Sequence, residues 1–79
     1  MSSISSLTIL VEDRKAVSDK VNHLLSEYGE YVKARLGLPL KDKGVSIITV
    51  VFEMEDANLE RLVSELSKIE NVKVKSLKV

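Results

Sequence analysis

The pattern of apolar and polar positions along the chain predicts four strands. Apolar and β-branched residues are dense from Ser6 to Glu12, which indicates a first strand. Alternation from Tyr31 to Leu38 predicts a second strand with one polar side. The run from Val45 to Phe52 is apolar on both faces, as in a central strand. A last strand follows Asn71 and carries lysines on its polar side, which discourages edge pairing.

Two amphipathic helices are predicted between these strands. The first follows Asp13, an expected N-cap, and ends at Gly29, an expected C-terminal glycine. The second begins at Asp56, also expected to be a cap. Apolar residues recur at the 3.6-residue spacing in both segments: Val17, Val21, Leu24, Leu25 and Tyr28, then Leu59, Leu62, Val63, Leu66 and Ile69.

The resulting order βαββαβ predicts an α+β fold, a ferredoxin-like sandwich that forms a single domain over residues 1–79. Two split βαβ units give a four-stranded antiparallel sheet in the order 4-1-3-2, with both helices on one face.

The other face of the sheet stays uncovered by the helices, although the central strand is apolar on both sides. We therefore expect a homo-oligomer, a dimer or a tetramer, built through the open sheet face or the strand edges. The alternative is a monomer whose open face is covered by Tyr31, Thr49 and the stems of Lys33 and Arg35.

Composition excludes several classes of protein. The chain has no cysteine, so it has no disulfide framework, zinc ribbon or thiol nucleophile. Twelve basic residues balance twelve acidic ones, which gives no overall attraction to nucleic acid or anionic membranes. We expect no signal peptide, because Met1 to Ser6 is small and polar, and the apolar runs are far shorter than the roughly 20 residues of a membrane span. We expect a cytoplasmic protein that binds neither nucleic acid directly nor a membrane.

No residue pattern predicts catalysis, a cofactor or a metal site. His23 is the only histidine and has no partner at metal-ligand spacing. The pairs Glu12-Asp13 and Glu55-Asp56 lie where a strand meets a helix start, and capping explains carboxylates there. No nucleophile triad or phosphate-binding loop is present. We expect a protein that is not an enzyme.

A small set of residues is a candidate for ligand binding or for a subunit interface. Alternation places Arg35 beside Lys33 on the polar face of the second strand, next to the bend at Gly37 and Pro39. A guanidinium there could hold a carboxylate or phosphate with two hydrogen bonds, or form an ion pair within or between chains. Arg14, in the first turn of a helix, is either a ligand contact or a solvated side chain.

Three segments resemble a known family: Leu10 to Arg14, Val21-Asn22 with Leu24-Leu25, and Arg35 to Pro39 before Ile47-Ile48. They resemble the small iron-only hydrogenase system regulators over nearly the whole chain, most specifically in Glu12-Asp13-Arg14 and in Arg-x-Gly-x-Pro at Arg35, Gly37 and Pro39. The resemblance implies a ferredoxin-like fold of the type seen in amino-acid-binding regulatory (ACT) domains and in the C-terminal domain of the nickel-responsive repressor. It also implies a role in transcriptional regulation.

The sequence departs from those relatives at their binding sites. The nickel site of the repressor uses several histidines and a cysteine, whereas this chain has His23 alone. The first strand begins close to Met1, so we expect no DNA-binding arm of its own. Amino-acid-binding domains place a glycine after the first strand, where this chain has Glu12-Asp13-Arg14. Two hypotheses remain: an oligomeric domain that senses a small anionic ligand, and a ligand-free oligomerisation or protein-interaction module.

Overall fold

The computed structural model describes residues 2–79. In chain order it contains β1 (Ser2–Glu12), α1 (Lys15–Glu27), β2 (Val32–Leu40), β3 (Val45–Glu55), α2 (Asp56–Ser67) and β4 (Val72–Lys78). Two short 3₁₀ turns, Gly29–Tyr31 and Lys41–Lys43, come before and after β2. The predicted order of strands and helices is confirmed.

The four strands form one antiparallel sheet in the order β2-β3-β1-β4. This is the predicted order 4-1-3-2 counted from the opposite edge, and it confirms the ferredoxin-like fold. The two central strands pair over their whole length, from Ser2 opposite Glu55 to Glu12 opposite Val45. β1 is longer than predicted because its serine-rich beginning, which has no strong strand preference, gains a full ladder with β3.

The core lies between the helices and one face of the sheet. Alternate residues of the central strands and the apolar stripes of both helices are buried there: Leu7, Ile9 and Val11; Ile48, Val50, Phe52 and Met54; Val17, Val21 and Leu25; Leu59, Leu62 and Leu66. Leu24, Val63 and Ile69 are half-buried at the margins of the stripes. The spacing in the sequence therefore predicted the helix faces correctly.

A β-bulge in β2 overturns one prediction about side-chain direction. The pairing of β2 with β3 shifts between Val32 and Ala34, so that Lys33 is the extra residue. After the bulge Arg35 is opposite Val50, which is buried against the helices. Cross-strand partners point to the same face of a sheet, so Arg35 is on the helix side. The prediction that Lys33 and Arg35 share the polar face is wrong, and the stem of Arg35 does not cover the open face.

The helix ends also differ from the predicted caps. Arg14, not Asp13, is at the N-cap of α1, and it makes no side-chain capping bond. The backbone N–H of Asp13 instead donates to the carbonyl of Gly44 at 2.8 Å, which ties the β1–α1 connection to the β2–β3 turn. Asp56 is the first helical residue of α2 and Glu55 is at its N-cap.

Positive φ angles occur, among residues 2–79, at Gly44 (69°) and Asn71 (67°). Gly29 therefore ends α1 without the left-handed conformation of a C-terminal glycine, and it begins a 3₁₀ turn instead. Asn71 makes the expected turn into β4. Neither α1 nor α2, the α-helices of the described chain, is long and apolar enough to cross a membrane.

Candidate ligand pocket and open sheet face

A pocket of about 270 Å³ lies between α1 and the helix-facing side of β2. Ser18 and Asn22 line it from α1, where their four-residue spacing puts them on one side of the helix. Arg35, Gly37 and Pro39 line it from β2, where alternate residues share a face. The fold thus brings together three of the five candidate residues.

Arg35 carries the only positive charge in the pocket lining of the described chain, and its guanidinium is held in place. Its Nη2 donates a hydrogen bond to Oδ1 of Asn22 at 2.5 Å. Within residues 2–79 its side chain makes no ion pair, so of the alternatives left open by the sequence the intrachain ion pair is not formed. Because a guanidinium has five donors in a fixed plane, further N–H groups stay available to an anion. Asn22 therefore orients the charge without neutralising it.

The pocket floor is apolar. Val11 of β1 is buried at its base, as is Ile48 of β3. Gly37 is opposite Ile48 in the β2–β3 ladder, and a Cβ built on Gly37 would have no other atom within 4 Å. The missing side chain at Gly37 leaves open space above the floor. Ser46, opposite Pro39, adds a hydroxyl to the lining.

The other two candidate residues lie outside the pocket. Arg14 forms an ion pair with Glu12, its Nε lying 2.5 Å from Oε1. Lys33 lies on the bulge, with its Nζ 3.5 Å from Oε1 of Glu53. Both cations are more than half exposed. Their partners explain them as surface ion pairs, which contribute little to stability.

Sequence reasoning did not single out Ser18 and Asn22 as site residues. The signal for them was weak but present: both are polar, four residues apart, and next to the apolar stripe residues Val17 and Val21. A helix pattern shows which side meets the core, but it does not show which strand lies beside that side.

The open face of the sheet carries an apolar patch beside the β2 edge. Leu36 and Leu38 are its most exposed members, with 68% and 50% of their surface exposed. We define the apolar patch by the residues that the ladders place side by side on this face: Leu10, Leu36, Leu38, Leu40, Val45 and Ile47. Contiguous exposed leucines are unusual on an isolated domain.

The shifted pKa values belong to groups outside the pocket. Burial, together with the hydrogen bond that Tyr28 Oη donates to Oε1 of Glu65 at 3.2 Å, raises the pKa of Tyr28. The hydrogen bond from Lys78 lowers the pKa of Asp56, and the contact with Asp56 raises the pKa of Lys78. The Lys78 Nζ lies 2.8 Å from Oδ2 of Asp56, which joins the end of β4 to the start of α2.

No group of three or more metal-ligating side chains comes together in the part of the chain that the structure describes. His23 is exposed on α1, with its Nε2 3.9 Å from Oε2 of Glu27.

The fold defines an ACT-like domain. The ACT domain of the GTP pyrophosphokinase from Chlorobium tepidum superposes with a TM-score of 0.81, at 15% identity, over 98% of this chain and 100% of that domain. Residues 3–76 match the TM1266-like model, which describes a proposed iron-only hydrogenase system regulator, and this chain belongs to that family. The structure of TM1266 from Thermotoga maritima is 30% identical, with a TM-score of 0.98 over 100% of this chain and 99% of that one.

A curated relative carries a similar segment within a longer protein. The acetolactate synthase small subunit of Mycolicibacterium smegmatis is 33% identical over 66 residues, which are 84% of this chain and 39% of that subunit. This chain therefore spans about two fifths of that relative's length. The match to the regulator family points to a non-catalytic role.

Proposed function

We propose that this chain is an oligomeric regulatory domain that senses a small anionic ligand in the pocket between α1 and β2. The observation that carries the proposal is the Arg35 guanidinium, which Asn22 orients toward the pocket and which no carboxylate of residues 2–79 neutralises. A carboxylate or phosphate bound there would receive charge-assisted hydrogen bonds, which are stronger than hydrogen bonds between neutral groups. Such a ligand would connect β2 to α1.

The geometry of β2 supports a coupling between ligand and oligomer. By alternation, Arg35, Gly37 and Pro39 face the pocket, and the side chains of Leu36 and Leu38 lie in the apolar patch on the opposite face of the same strand. Leu38 also borders the pocket. We propose that a second copy of the chain covers the apolar patch, forming a dimer or tetramer. A ligand that fixes the position of β2 would then bind one quaternary arrangement more tightly, and it would shift the equilibrium by that difference in affinity.

The regulated molecule is, in this proposal, a partner protein and not DNA. The twelve basic and twelve acidic residues support this, because no net positive charge is present to hold the phosphate backbone. The output of the domain would be a change in the affinity of that partner for one quaternary arrangement.

Thermal unfolding with a panel of carboxylates, phosphates, nucleotides and amino acids tests the ligand pocket. We expect at least one anion to raise the Tm of the wild type and to leave the Tm of Arg35→Ala unchanged. Lys33→Ala is the matched control, because Lys33 is a cation two residues away that lies outside the pocket. A ligand effect that survives in Arg35→Ala, or that Lys33→Ala also abolishes, would contradict the assignment.

The second candidate function is a ligand-free oligomerisation module. The apolar patch favours it, because covering this surface requires no small molecule. For such a module, no compound of the panel raises the Tm, and Leu36→Ser weakens assembly whereas Arg35→Ala does not, because Arg35 lies on the opposite face of β2.

A further inference from the structure

We infer that the pocket takes a short monocarboxylate without an ammonium group, and that Gly37 sets the size of the molecule it accepts. This inference rests on the proposed ligand pocket and names its ligand class.

The charges of the lining select a single anionic group. Arg35 is the one charged side chain among the described residues that line the pocket, and the lining includes no aspartate or glutamate. A carboxylate on the guanidinium is therefore paired, whereas an ammonium group on the same molecule would meet only hydroxyl and amide groups. Leaving a charged group without a charged partner in a partly enclosed site lowers affinity. A second carboxylate would lack a partner for the same reason.

The floor of the pocket favours an apolar chain, and the pocket is small enough to favour a short one. Its volume of about 270 Å³ is below the range of about 300–1,000 Å³ typical of sites for drug-sized ligands. The buried side chains of Val11 and Ile48 form the floor beneath Arg35. A few methylene groups fit against these side chains, and their burial adds to the affinity of the carboxylate.

Gly37 leaves this space open because it has no side chain. It lies between Arg35 and Pro39 on the pocket face, and a Cβ at this position would have no other atom within 4 Å. A methyl group at this position therefore fits into the pocket without a clash. Its φ angle is not positive, so a residue with a side chain can adopt this backbone conformation.

Four-carbon acids provide matched probes for the ligand class. Titration of the 79-residue protein followed by ¹H–¹⁵N NMR would compare butyrate, 2-hydroxybutyrate, 2-aminobutyrate and succinate. We expect butyrate and 2-hydroxybutyrate to shift the amide signals of Asn22, Arg35 and Gly37. We expect 2-aminobutyrate, similar in size to 2-hydroxybutyrate, and succinate to bind at least about tenfold more weakly.

Substitution of Gly37 tests the size limit. Gly37→Val should weaken butyrate binding by about tenfold or more, because its methyl groups occupy the space of the ligand. Gly29→Ala is the control, since a Cβ there also has open space but lies outside the pocket. Both variants should keep the wild-type pattern of amide signals elsewhere. If Gly37→Val changes the signals of the core, Gly37→Ala with 2-methylbutyrate, a bulkier acid, gives the same test.

The outcomes separate this inference from the proposed function. Equal binding of 2-aminobutyrate and 2-hydroxybutyrate, or unchanged butyrate binding by a folded Gly37→Val, overturns the inference and leaves the ligand pocket in place. Arg35-dependent binding of a nucleotide or phosphate instead of the short acids also overturns the inference and leaves the ligand pocket in place. If no anion of the panel binds in an Arg35-dependent way, both the inference and the proposed function fall.

Discussion

Replacing Leu36 with serine removes the most exposed leucine of the apolar patch. Leu36 lies on β2 with 68% of its surface exposed, so in an isolated chain it contributes little to folding. Leu36→Ser should therefore leave the free energy of unfolding of the monomer within about 0.5 kcal/mol of the wild-type value. In an oligomer that covers the patch, the same substitution removes apolar surface from the interface.

The size of the effect follows from the exposed fraction. Full burial of a leucine side chain stabilises by about 1.5–3 kcal/mol. About two thirds of Leu36 remains for a partner to bury, which corresponds to about 1–2 kcal/mol per copy. In a two-fold symmetric dimer both copies lose this contribution, so the dimer weakens by about 2–4 kcal/mol. The dissociation constant should rise by a factor of about 30 to about 1,000.

Sedimentation equilibrium over a range of concentrations measures this constant. Leu77→Ser is the matched control: Leu77 is also 68% exposed and lies on the same sheet face, on β4, outside the apolar patch. We expect Leu77→Ser to change the constant by no more than about twofold. Equal effects of the two substitutions, or no effect of Leu36→Ser, would refute the assignment of the interface to the apolar patch.

Three further predictions concern stability. Tyr28→Phe removes the hydroxyl that donates to Glu65, and urea unfolding should show a loss of about 0.5–1.5 kcal/mol; an unchanged value would contradict that role. Leu62→Ala opens a cavity at a fully buried position of α2, and urea unfolding should show that the free energy of unfolding falls by about 2–5 kcal/mol. A smaller loss would contradict close packing around Leu62. The pKa of Asp56 in the folded state lies below its usual value of 3.8. Ionised Asp56 therefore stabilises the native state at pH values above 3.8, and this stabilisation is lost as the pH falls through the folded-state pKa. The difference in stability between the wild type and Asp56→Asn should therefore be present at pH 7 and shrink below about pH 4, and a difference that stays constant with pH would rule out this linkage.

The fold was predictable because its signals are local and periodic. Alternation marked the strands and the 3.6-residue spacing marked the buried stripes of both helices. The bulge was not predictable, because alternation does not show where the pairing of β2 with β3 gains an extra residue. For that reason the sequence identified Arg35 as a ligand candidate but placed it on the wrong face.

The candidate site was predictable only in its β2 half. Arg35, Gly37 and Pro39 were recognisable as a charge beside a bend, and the structure places all three around one pocket. Ser18 and Asn22 depend on how α1 packs beside β2, which is a tertiary property. The ion-pair partners of Arg14 and Lys33 could not be predicted either, because the pattern of polar and apolar residues does not specify the local geometry that forms each ion pair.

The most direct test of the account is light scattering coupled to size exclusion on the wild type and Arg35→Ala, each with and without butyrate. We predict a discrete oligomer in both, whose dissociation on dilution is changed by butyrate in the wild type and is unaffected by it in Arg35→Ala. A wild-type protein that is monomeric at every concentration, with and without the acid, would contradict the account.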